Sequence, residues 1–165
     1  MRLITRLARS FVAGDTNAEA IQAVARLRDR GIMSTMDVLG ESVKDRNTAE
    51  KAVSAYLELL DMINAAGSDA HISLKLTQQG LDIDTEYCYQ NVRRVIQKAY
   101  SLGTFVRIDM EGTPHTERTL ELFYRLRREF DNVGIVIQAY LHRSEKDIHD
   151  LNKTGAKVRL CKGAY

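Results

Sequence analysis

Five glycines, each set just ahead of a short run rich in β-branched and aliphatic residues, constrain this chain more than any other feature. Gly31, Gly67, Gly103, Gly134 and Gly155 precede runs at 32–39, 71–76, 104–110, 135–140 and 157–162. A glycine that accepts the left-handed conformation stops a helix, and a β-branched run behind it reads as a strand. The glycines are 36, 36, 31 and 21 residues apart, which is room for a crossover helix between parallel strands. The pattern predicts an α/β fold. Helix starts are legible as well: Asn47-Thr-Ala-Glu50 and Ser144-Glu-Lys-Asp147 read as capping boxes, and Thr113-Pro114 sets proline at a first helical position.

Composition narrows the partners. Of 165 residues, 44% are apolar and 28% charged, and no run approaches the ~20 apolar residues of a membrane-spanning helix. Twenty-four basic against 22 acidic side chains leave +2, too even a balance for a dedicated nucleic-acid binder. Small ligands are the expected partners. Cys88 and Cys161 lie far apart with no CxxC spacing, and the four histidines lack metal-ligand spacing, so neither a disulfide framework nor a metal site is expected. A reducing, cytoplasmic compartment fits. Residues 1–10 are basic and amphipathic without a secretory apolar centre, and read as a packing helix, with a mitochondrial presequence as the alternative. No repeat or linker divides the chain, so 1–165 reads as one domain.

Alternation splits each strand into two rows. One row is apolar: Ile72, Leu74 and Leu76, then Val106, Ile108 and Met110, then Ile135 and Ile137, then Val158 and Leu160. The other is polar near its C-terminal end, with Lys75, Arg107, Asp109, Gln138 and Arg159, and Asp37 on the first strand. In a barrel clothed by helices the apolar row faces outward. The polar row then converges at the C-terminal mouth, where barrel enzymes carry their chemistry. Three positive and two negative charges in that set favour an anionic ligand. Plainer readings stand beside this one. Asp37 caps the turn after its strand, Asp109 pairs with Arg107, Gln138 is a satisfied core amide, and Cys161 is a small residue in a buried strand. Lys162, Gly163 and Ala164 form a strand-end loop whose small residues let a flat ligand approach the backbone.

Five units fall short of the ~250 residues of a (β/α)8 barrel. The expectation is therefore a partial TIM-like (β/α)8 barrel of about the first five βα units, truncated after Tyr165. The rival is a complete doubly wound sheet, but no G-x-G-x-x-G or G-x-x-x-x-G-K-[ST] phosphate loop is present.

Seven segments, in order, carry a resemblance: Phe11-Val-Ala-Gly14, Asp37-Val-Leu-Gly-Glu41, Ser73-Leu-Lys-Leu-Thr77, Gly80-Leu-Asp-Ile-Asp84, Val106-Arg-Ile-Asp-Met-Glu111, Ile137-Gln-Ala-Tyr-Leu141 and Val158-Arg-Leu-Cys-Lys-Gly-Ala-Tyr165. Together they resemble the monofunctional bacterial proline dehydrogenases. The resemblance implies a distorted barrel that binds FAD without a Rossmann fold. It also implies oxidation of L-proline to 1-pyrroline-5-carboxylate in proline catabolism, with a membrane quinone as acceptor and at most peripheral association with the inner membrane face. By the same resemblance Lys75 meets the proline carboxylate and Tyr165 lies beside the substrate. Asp109 is the active-site aspartate and Arg159 the arginine at the flavin. Met110, Gln138, Lys162, Gly163 and Ala164 contact the cofactor. Cys161 departs from the aliphatic residue usual in the family. The family's later arginine-bearing helix and later strands do not occur in the sequence, so a chain ending at Tyr165 is expected to be inactive alone. Two other classes compete: a Schiff-base barrel aldolase using Lys75, and a non-catalytic fragment or assembly partner with open strand edges.

Overall fold

Five parallel strands form the centre of the computed structural model, which describes residues 12–164. The elements run α1 (Asn17–Arg28), β1 (Thr35–Asp37), α2 (Arg46–Ala65), β2 (His71–Leu74), α3 (Thr85–Ser101), β3 (Val106–Ile108), a 3-10 turn (Thr113–His115), α4 (Thr116–Glu129), β4 (Val133–Gln138), α5 (Ser144–Asn152) and β5 (Val158–Cys161). The predicted packing helix at 1–10 lies outside the described residues. Every strand pairs in parallel with its neighbour in sequence, giving the order β1-β2-β3-β4-β5. With right-handed crossovers, a monotonic order puts all connecting helices on one face. A doubly wound sheet reverses direction at a switch point, and no reversal occurs here. The architecture is the opening part of a (β/α)8 barrel: four strands each followed by a helix, then β5.

The apolar row faces the helices, as alternation predicts. Ile72, Leu74, Val106, Ile108 and Ile135 are fully buried and share one continuous core with Val53, Tyr56, Leu60, Val92, Ile96 and Phe123 from the helices. α2 shows why it lies there: Ala49, Val53, Tyr56, Leu60 and Ile63 recur at helical spacing and are all buried.

Three local expectations change. Gly31, Gly67, Gly103 and Gly155 do stop the preceding helices, with φ of 72°, 54°, 68° and 64°. Gly134, however, lies inside β4, paired with Arg107, and its role is clearance. A Cβ there would stand 2.5 Å from the Lys157 carbonyl oxygen and 2.6 Å from the Phe105 ring. Neither predicted capping box forms. α2 is capped two residues earlier by Asp45, whose carboxylate accepts the Thr48 N–H at 2.9 Å, while the Ser144 hydroxyl donates to the Gln138 carbonyl at 2.5 Å. β5 is not a buried strand: Leu160 is 58% exposed and Cys161 is exposed. Within β5 only Val158 is partly buried, packed against the core.

Among the described residues no helix is long and apolar enough to cross a membrane.

Candidate active site

The site is built from the polar row, and the register decides which side chains meet. Leu74 pairs with Ile108, so the next residues, Lys75 and Asp109, are level; Val136 pairs with Arg159. Lys75, Asp109 and Arg159 therefore come from three strands to one height at the C-terminal edge. Two ion pairs result. Lys75 Nζ lies 3.1 Å from Asp37 Oδ2, and Arg159 Nη2 lies 2.6 Å from Asp109 Oδ1, crossing the intervening β4. The predicted Asp109–Arg107 pair does not form. Arg107 is one step lower and donates to the Lys157 and Ile135 carbonyl oxygens, at 3.2 and 3.4 Å, through the space that Gly134 leaves. Asp37 is not a turn cap; Lys75 and the Tyr56 hydroxyl hold its two oxygens.

Burial sets the electrostatics. Asp109 is only 17% exposed, and removal from water pushes its carboxyl above the ordinary range, against the pull of Arg159 and Lys75. Burial and the neighbouring Arg159 charge push the Arg107 guanidinium below its usual range. Arg159 itself is 42% exposed and uses one N–H on Asp109. It is thus an anchored, partly exposed positive charge.

One step higher, Gln138 knits the mouth together. Its amide nitrogen donates to the Met110 and Glu111 carbonyl oxygens at 3.2 and 3.1 Å, and its amide oxygen accepts the Ala164 N–H at 3.0 Å. Gln138 thus fixes the tips of β3 and β5 against β4. The Met110 side chain points into the core, so Met110 offers the mouth only its backbone. Lys162 is exposed. Gly163 adopts φ 112° beneath the Tyr140 ring, where a Cβ would lie 2.0 Å from the ring. Tyr165 lies outside the described residues.

Two contributors escaped the sequence reading. Glu111, buried, accepts the Thr77 N–H at 3.0 Å and the Thr77 hydroxyl at 2.5 Å, and Thr77 in turn accepts the Ser42 N–H. This chain binds together the loops after β1, β2 and β3. The other is Tyr56, fully buried on α2, whose hydroxyl reaches Asp37. Its position on the buried stripe was a usable signal, because a buried phenol needs a polar partner.

Two surface grooves of about 510 and 450 Å³ lie elsewhere, on the outer face of α2 and beside Tyr124, and hold none of these side chains. A groove on a helix face without convergent polar groups is a weaker candidate than the strand-tip cluster. Among the described residues no group of three or more His, Cys, Asp or Glu is arranged for a metal ion.

A profile of the proline dehydrogenase family matches residues 20–165. Proline dehydrogenase 1 of Bacillus subtilis subsp. natto is 38% identical over 162 residues, covering 98% of this chain and 54% of that protein. Proline dehydrogenase of Deinococcus radiodurans is 38% identical over 164 residues, covering 96% of this chain and 53% of that protein. The chain thus spans about half the length of these curated relatives. Among solved structures, proline utilization A (PutA) of Bdellovibrio bacteriovorus, inactivated by N-propargylglycine, superposes with a TM-score of 0.82 at 27% identity, over 93% of this chain and 20% of that one.

Proposed function

This chain belongs to the proline dehydrogenase family, and we propose that it supplies the first strands, as a single domain, of a site that oxidises L-proline to 1-pyrroline-5-carboxylate with FAD. The observation that carries the reading is the pair of ion pairs, Asp37–Lys75 and Asp109–Arg159, at the strand tips, whose cations Lys75 and Arg159 stand at one level. One gives a cation fit for the substrate carboxylate, the other a cation fit for a reduced ring.

The residues present suit a flavin. Arg159 stays partly exposed, Lys162 adds a second exposed cation, and the held Met110, Glu111 and Ala164 backbone forms a fixed edge beside them. When bound, FAD supplies two-electron acceptance from the C–N bond of the proline ring. Lys75 binds and orients the carboxylate, with Asp37 holding the ammonium in direction. Arg159 places positive charge beside the ring and Asp109 fixes where it stands. Gln138 keeps the strand tips at their spacing, and so keeps the carboxylate and flavin subsites in register. Tyr165 is assigned beside the substrate, and Lys162, Gly163 and Ala164 beside the cofactor. Electrons leave to a membrane quinone, with the protein in the bacterial cytoplasm and at most peripheral on the inner membrane.

The aldolase alternative is less well supported. A Schiff-base lysine is activated by an apolar pocket or a neighbouring cation, whereas Lys75 lies against a carboxylate. The test is to add L-proline to the complete natural protein anaerobically and follow flavin absorbance. Bleaching by proline, with a rise in KM of about tenfold or more in Lys75→Met, is the expected result. A protein that holds no flavin, or one whose flavin proline does not bleach, refutes the proposal.

A further inference from the structure

Tyr56 lies on α2, yet its hydroxyl reaches the strand-tip cluster. Its ring is fully buried in the core, so its hydroxyl has no water to turn to. Three acceptors lie in reach: Asp37 Oδ1 at 2.8 Å, the Ser73 carbonyl at 2.9 Å and Gln78 Oε1 at 3.4 Å. The oxygen also accepts the Val38 N–H at 3.3 Å. With a single proton to give, the phenol favours the carboxylate, the closest and charge-assisted partner. Burial and the Asp37 charge push the phenol well above its ordinary range, so it remains a donor. The other oxygen of Asp37 holds Lys75 at 3.1 Å. A second clamp works on the same loop: Gln78 donates to the Val38 carbonyl at 2.9 Å.

We infer that Tyr56 is a positioning residue for substrate binding, which aims Lys75 through Asp37. A carboxylate bound only at Oδ2 can turn about its side-chain torsions. Tied at Oδ1 to a phenol fixed in the core, it cannot. Lys75 gives Asp37 an N–H at 3.1 Å, and a fixed Asp37 fixes the direction of that bond and so the position of the ammonium. Tyr56 therefore acts on the affinity for a carboxylate-bearing substrate and leaves the redox step to Arg159 and its neighbours. The inference rests on the assignment of Lys75 to the substrate carboxylate, and its test separates the two.

The experiment compares Tyr56→Phe, Lys75→Met and the double variant in the complete, flavin-loaded protein. Tyr56→Phe keeps the buried ring and is expected to raise KM for proline by about three- to tenfold with kcat changed by less than about twofold. The double variant is expected to match Lys75→Met, because the phenol acts only through the lysine. Calorimetric binding of cyclopentanecarboxylate, which keeps the ring and carboxylate and lacks the amine, should weaken by the same factor as KM. If Lys75→Met leaves KM unchanged, the carboxylate assignment fails and the inference fails with it. If Lys75→Met raises KM but Tyr56→Phe does not, or if the two effects multiply in the double variant, the inference alone is overturned. Should Tyr56→Phe not fold, Asp37→Asn replaces it, with the same expected rise in KM and the same absence of further effect on Lys75→Met.

Discussion

Arg159 is the side chain on which the proposed chemistry leans hardest. Anchored to Asp109 at one corner and 42% exposed, it brings positive charge to the mouth without the desolvation cost of full burial. Arg159→Ala in the complete protein is expected to lower kcat for proline oxidation by more than about tenfold, and Arg159→Lys, which keeps charge but loses the fork, to fall between. Steady-state kinetics with proline and a quinone decide it, and a wild-type kcat in Arg159→Ala removes the residue from the chemistry. That Lys75, Asp109, Gln138 and Arg159 share a face was legible, because strand alternation is a local rule. Which of them pair was not. Arg107 and Asp109 are two apart on one strand and look like partners in sequence, but the register sets Arg107 level with Gly134 and leaves Asp109 to Arg159. Register is a non-local property, fixed by packing across the sheet. Tyr56 was passed over for a related reason: the helical period shows that it is buried, and only the fold shows what its hydroxyl meets.

Among the elements, β4 depends on one missing side chain. Gly134 leaves the space through which the Arg107 guanidinium reaches the Lys157 carbonyl. Gly134→Ala forces a methyl against a neighbouring backbone and an aromatic ring, and is expected to cost about 1–3 kcal/mol, read as a shift in the urea midpoint at constant slope. An unchanged midpoint would mean that β4 and β5 separate easily. The loops have a tie of their own at Asp82, which takes Lys44 at 2.8 Å, His115 at 2.9 Å and Arg118 at 3.2 Å. The hydrogen bonds, Lys44 first, lower its carboxyl to about 2. A carboxyl depressed on folding stabilises above the ordinary range near ~4 and loses that contribution as pH falls toward the depressed value. Asp82→Asn is therefore expected to cost about 1 kcal/mol at pH 7, allowing for the exposure of Lys44, and nothing below pH about 2. Urea titrations at several pH values check the sign. Four strands were legible from β-branched runs behind glycines, and β4 from an apolar run that takes its glycine inside the strand. Their ends were not, because Ile32, Met33 and Leu39 look like strand yet lie exposed, and because Asp45 outcompetes Asn47 for the helix start.

At the scale of the molecule, the monotonic strand order puts the helices on one side and gathers the polar row on the other, and it also leaves the outer strands less covered than the inner ones. Every residue of β4 is buried, whereas none of β5 is. Backbone amides open in proportion to the cover and contacts they lose. In the 165-residue chain, hydrogen exchange is accordingly expected to be slowest in β2, β3 and β4, and faster in β5 by at least about tenfold, which is the ratio given by ~1.4 kcal/mol of lower local stability. Arg159 rides on β5 and Asp109 directly follows β3, so their ion pair spans the boundary between the slow and fast strands. Arg159→Ala should therefore speed exchange in β5 further while leaving β3 unchanged. Mass spectrometry of exchanged peptides separates the strands. Uniform protection across β2 to β5 would show that the sheet opens as one cooperative unit, and the Arg159–Asp109 pair would then add nothing to the hold on its last strand.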